Sequence, residues 1–214
     1  MRAAPRLARG HWNFSGTGPG FILAADSHPR MRAMAIPGRQ GIGQLGVTLI
    51  VQQVAAAADF YRDVLGAEEV DRGAAAYPGG PPPAGLPAGE VTWAELRLAG
   101  AHLLVVRENP RWREAPRPDW PRSPIAAGAP STCLTLYVDD VDAVYARALA
   151  AGASPTARNS GVEDGYWGDR MVQFHDPFGH VWRIMTRRED VEVADLPGRY
   201  EALRQAHRAA RGLG

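Results

Sequence analysis

Lysine is missing altogether: all 24 basic positions are arginine, set against 23 acids, and the net charge is +1. That balance excludes a chain-wide pull towards nucleic acid or an anionic membrane surface. With so much Ala, Gly and Pro beside it, the arginine preference is what a GC-rich genome produces. Cysteine is nearly absent: Cys133 stands alone, which excludes an intramolecular disulfide and fits a reducing cytoplasm. Long apolar runs are lacking too, since nothing approaches the roughly 18 to 20 apolar residues that span a bilayer. The basic start MRAAPRLARG is followed only by FILAA at Phe21–Ala25, short of a signal peptide's apolar stretch of about 7 to 15 residues. No Ser-His-Asp arrangement, phosphate-binding glycine loop or paired-cysteine zinc spacing occurs. The expectation is a soluble cytoplasmic protein without nucleic-acid or membrane partners, long enough at 214 residues to bury a sizeable core.

What is present is an internal repeat. Leu49–Ala67 (LIVQQVAAAADFYRDVLGA) and Leu136–Ala153 (LYVDDVDAVYARALAAGA) share one plan. Each has an apolar strand, a polar break, a helix of about ten residues and a small-residue stop. Val51 and Val54 match Val138 and Val141 at one constant spacing. Two further strands joined at a glycine follow each copy: TWAELRLAGAHLLVV in the first and MVQFHDPFGHVWRIM in the second. The pattern predicts an α+β fold of two βαβββ modules whose mixed sheet curves around a central cleft.

Along the chain, residues 1–44 carry scattered Gly, Pro, Arg and His without a period and are expected to hold little fixed structure. Met31 and Met34 leave room for a later translation start. Module one covers 45–108, with a Pro/Gly-rich loop at Pro78–Gly89 that excludes helix or central strand. The linker 109–130 (rich in Pro, Arg and Trp) reads as an extended spacer or as a strap across a partner subunit. Module two covers 131–188. The tail 189–214 contains a surface helix over Pro197–Arg211, its apolar positions Leu203, Ala206 and Ala210 at helical spacing.

Strand residues alternate between faces. Val47, Leu49 and Val51, with Leu134, Leu136 and Val138, form aliphatic faces expected to pack under the helices. Thr48, Cys133, Thr135 and Tyr137 fall on the opposite, mixed face, as do Trp93, Glu95 and Arg97 on the third strand. On the last strand Val181, Arg183 and Met185 oppose His180, Trp182 and Ile184. A sheet that is apolar behind and mixed in front is a small-molecule container.

The paired strand-helix starts, the YWGDRMVQF strand and above all the DPFGHVWRI turn and strand resemble the glyoxalase/bleomycin-resistance/dioxygenase group, the vicinal oxygen chelate superfamily. The resemblance covers about 45–188 and is nearest to its bacterial glyoxalase-like branch. It implies a divalent metal held by side chains near the start and end of each module, acting as a Lewis acid. The matching positions are Gly46, about Leu104–Val106, Cys133 and Arg183. Glycine and aliphatic side chains offer no lone pair, and a guanidinium repels a cation. Only Cys133 could ligate, and one ligand does not make a metal site.

The expectation is therefore a metal-free protein with no cofactor, binding a small planar or aromatic ligand, as in the bleomycin-resistance branch, for resistance or sequestration. That branch implies a homodimer. Candidate ligand-binding residues are Thr48, Trp93, Glu95, Cys133, Thr135, Tyr137, Trp167 and Arg183. The aromatics supply stacking area. Arg183 either holds an anionic or carbonyl-bearing ligand or pairs with Glu95. The alternative is a lyase, isomerase or dioxygenase with a displaced divalent metal drawn from His102, Glu95, His175 or His180. Those histidines also fit plain surface or turn positions, and no residue is assigned a catalytic role.

Overall fold

The computed structural model describes residues 46–74, 89–113, 117–157 and 161–210. The leader expected at 1–44, all but Gly89 of the Pro/Gly loop, and part of the linker lie outside them.

Module one runs β1 (Gly46–Val51), α1 (Val54–Leu65), β2 (Glu68–Gly73), β3 (Trp93–Leu98) and β4 (Ala101–Arg107). The linker contributes a 3-10 turn at Pro110–Arg113 and a short helix, α2 (Pro124–Ala127). Module two repeats the plan with β5 (Cys133–Tyr137), α3 (Val141–Ala150), β6 (Ser154–Pro155), β7 (Glu163–Asp164), β8 (Asp169–His175) and β9 (Val181–Arg187). A final helix, α4 (Leu196–Ala210), lies on the surface. This is the expected α+β fold of two βαβββ modules, with the two-residue β7 added in module two.

Each module has its own sheet. The orders are β1-β4-β3-β2 and β5-β9-β8-β6, with β7 also pairing to β8. In both, the first strand runs parallel to the last, and the last two strands form an antiparallel hairpin. The helices start and stop where local chemistry directs. Asp140 caps α3 by accepting the Ala143 N–H at 3.0 Å. Gly66 ends α1 in the left-handed region, with N–H groups of Gly66 and Ala67 returning to Arg62 and Tyr61.

The aliphatic faces pack as the alternation requires. Leu49, Val51, Leu96 and Val105 from one sheet and Leu136, Val172, Phe174 and Ile184 from the other join a single core with α1 and α3. On α3, Val144, Tyr145 and Ala148 face this core, while Leu149 is exposed.

The modules are stitched together by α1. Phe60 and Tyr61 meet Phe178 edge-on with ring centres 6.2 Å away, and Tyr61 lies 5.5 Å from Trp182. Such aromatic pairs add about 0.5–1.5 kcal/mol each beyond their buried area. At the centre is Asp176, buried, whose carboxylate accepts from Tyr61 Oη (2.8 Å), Trp182 Nε1 (3.1 Å) and the N–H groups of Phe178 and His180 (both 2.9 Å). Burial and the neighbouring Asp176 charge push the Tyr61 phenol well up, so it stays a donor.

The linker is more than an extended spacer. Buried Glu108 accepts from the Ser123 N–H (2.9 Å), Ser123 Oγ (3.2 Å) and Gln52 Nε2 (3.3 Å). Ser123 in turn caps α2, and α2 rests against the Gly179 turn, where an added Cβ would meet Pro124 and Ile125 at 3.1 Å.

Candidate functional site

The faces turned away from the helices carry the candidate residues, and the two modules present them differently. On module one, Trp93 and Glu95 are both buried. The indole lies across β2 because Gly73 has no side chain there: a Cβ would sit 2.9 Å from the ring. Its Nε1 is buried without a hydrogen-bond partner. His102 Nε2 lies 3.3 Å from Glu95 Oε1, within ion-pair range but off the hydrogen-bond line. The other side of that imidazole covers Gly46, where a Cβ would meet Nδ1 at 3.0 Å. The missing side chain at Gly46 is what makes room for His102. Thr48 is exposed, in register with Leu104.

On module two, Cys133, Thr135 and Tyr137 are exposed and Arg183 is half-buried. Register places three rows across this face: Cys133–Val181–His175, Thr135–Arg183–Gln173 and Tyr137–Met185–Met171. Arg183 makes no ion pair with Glu95; Glu95 has His102 instead. Trp167 and Tyr137 converge on Asp169, which is 1% exposed: its Oδ2 accepts from Trp167 Nε1 at 2.8 Å and from Tyr137 Oη at 3.1 Å. Arg187 Nε stands 2.7 Å from the other oxygen. The turn that delivers Trp167 depends on its glycines. A Cβ at Gly165 would lie 2.6 Å from the indole, and Gly168 takes φ +94° with no space for a side chain.

His180, expected at the surface or in the turn, does bond the turn through its N–H but also spans the modules. Its Nε2 lies 3.1 Å from the Ile50 carbonyl. Burial there pulls its pKa below the ordinary histidine value, opposed by the Asp176 charge and the Ile50 carbonyl. His102, by contrast, is turned into the front of module one. His175 is half-buried on module two.

The donor set does not fit a divalent metal. Among the described residues, no three His, Cys, Asp or Glu side chains converge. Glu95 and His102 meet as a pair only, and three or four ligands are required. A groove of about 730 Å³ beside α3 is lined by Asp142, Asp164, Asp169, Arg170, Arg188 and Glu189. Arg170 binds Asp142 and Asp164 there at 2.8–3.1 Å, and the groove meets the candidate face at Asp169 and the Gly165–Gly168 turn.

Sequence alternation placed Thr48, Glu95, Tyr137, Arg183 and Met185 on their faces, but Asp169, Met171 and Gln173 emerge only from the register. The signal available was the acid directly after the GYWG turn.

Among the described residues, no helix is long and apolar enough to cross a membrane. The sequence profile of the Glyoxalase/Bleomycin resistance protein/Dioxygenase superfamily matches residues 41–184. An uncharacterised protein of Mycobacterium bovis is 33% identical over 148 residues, covering 69% of this chain and 86% of that relative. Among solved structures, TioX from Micromonospora sp. ML1 is 24% identical with a TM-score of 0.45, over 67% of this chain and 97% of TioX. A lactoylglutathione lyase from Agrobacterium tumefaciens is 20% identical with a TM-score of 0.42, over 66% and 91%.

Proposed function

The chain belongs to the glyoxalase/bleomycin resistance protein/dioxygenase superfamily, and from that premise we propose that it is a metal-free member that binds and sequesters a small planar or aromatic molecule. The observation that carries this is the chemistry of the family's four ligand positions. They match Gly46, about Leu104–Val106, Cys133 and Arg183, and only the cysteine can donate to a metal. The faces around them keep large rings and few charges, the composition of a small-molecule site. Confinement of an antibiotic or another planar toxin is the biological role this chemistry supports, in a cytoplasmic homodimer.

A rival reading has one observation in its favour. Buried Glu95 beside His102 is an acid-base pair of the kind enzymes use, and the rival is a lyase, isomerase or dioxygenase with a displaced site. Elemental analysis of purified protein separates the two, together with tryptophan-fluorescence quenching by a panel of planar antibiotics. Quenching without bound metal is expected. Stoichiometric Zn, Fe, Ni or Mn that survives dialysis overturns the metal-free reading.

A further inference from the structure

We infer that the ligand at the front of module two is a planar carboxylate, gripped by Arg183, with its apolar body lying towards Tyr137, Met171 and Met185. The inference rests on the planar-ligand reading and adds the chemical class.

The guanidinium carries the argument. Arg183 is half-buried, its Nε is wholly buried without a hydrogen-bond partner, and it forms no ion pair among the described residues. Guanidinium keeps its charge at any pH the fold survives, and a charge partly withdrawn from water gains from a partner. Its neighbours on this face, Thr135 and Gln173, are uncharged. Two acids share the face. Asp169 stands two rows away, held by Arg187, Tyr137 and Trp167. Glu163 is exposed at the outer edge, opposite Met171. Neither neutralises Arg183. The missing partner is an anion brought by the ligand.

Planarity and direction follow from the surroundings. The N–H groups of guanidinium lie in one plane and match the two oxygens of a carboxylate in a bidentate grip. On one side of Arg183 the row is Tyr137, Met185 and Met171, an exposed phenol ring that can stack on flat apolar groups, backed by two buried thioethers. Tyr137 is tied by its hydroxyl to buried Asp169, so the ring is positioned before any ligand arrives. The opposite row, Cys133, Val181 and His175, has no such platform.

Calorimetric titration of the full chain tests this with benzoate and 2-naphthoate, their neutral shape-mates benzamide and 2-naphthamide, and phenylphosphonate. The carboxylates are expected to bind about tenfold or more tightly than the amides, as a charge-assisted pair requires. Arg183→Gln should erase that preference at unchanged melting temperature. Arg183→Lys, which keeps the charge but loses the fork, should retain part of it. Equal affinity for carboxylate and amide would overturn the carboxylate while leaving a planar ligand in place. Tighter binding of phenylphosphonate would overturn the planar oxyanion. Silence from every probe, charged or neutral, would remove the planar-ligand reading with it. The wild-type comparison stands even if a variant fails to fold.

Discussion

Module one and module two share an element order and an apolar back, yet their fronts are unlike. On module one the indole and imidazole fold down over Gly73 and Gly46, and a carboxylate is buried between β2 and β4. On module two the corresponding first strand exposes Cys133, Thr135 and Tyr137 around a cationic Arg183. One front buries its carboxylate beside an imidazole, while the other exposes its first strand beside Arg183. The backs must match because both feed one core, where a lost methylene is felt. The fronts carry no such obligation, so divergence of chemistry costs the fold little there.

Three experiments press on that contrast. The largest effect is expected where the modules are fused. Asp176→Ala leaves four donors without their acceptor and should lower stability by about 3 kcal/mol or more, measured as a shift in urea midpoint. Two separate transitions instead of one would show that the backs are less shared than the core implies.

The second compares one position in both modules. Gly46→Ala drives a methyl against the His102 ring and should cost about 1–2 kcal/mol. Cys133→Ala, at an exposed site, should stay within about 0.5 kcal/mol. Equal costs by thermal melting would erase the distinction between closed and open fronts.

The smallest effect is a pH slope. His180 has a folded pKa depressed by burial, so its unfolded form takes up a proton first, near pH 6.5. Its contribution is therefore full above that value and is lost as pH falls from there through the folded pKa. His180→Asn should flatten the decline in melting temperature between pH 7.5 and 5.5 relative to wild type. An unchanged slope would mean that burial between the modules does not hold the His180 imidazole neutral.

Much of the fold was legible because its signals are local. Period-two alternation sorted Leu49 from Thr48 and Leu136 from Thr135, and the repeat tied the two modules together. The site was less legible because its partners are cross-strand. His102 follows a glycine turn and looks like a surface residue. Only the parallel register of β1 with β4 reveals that Gly46 clears its place. Glu95 and Arg183 could be set on mixed faces but not kept apart, since alternation says nothing of how two sheets are disposed. Asp169 reads as one acid among several near a turn, and its role depends on two aromatic tips meeting a single oxygen.

The helix of the first repeat, with Phe60 and Tyr61 reaching across to its twin's territory and the Val64 carbonyl accepting from Arg147 of that twin, carries a last implication. Whatever ancestry the doubled plan records, neither half now owns a complete interior. Separated at the join, each would bare a greasy flank, and the two pieces would have to find one another again before either could hold a shape.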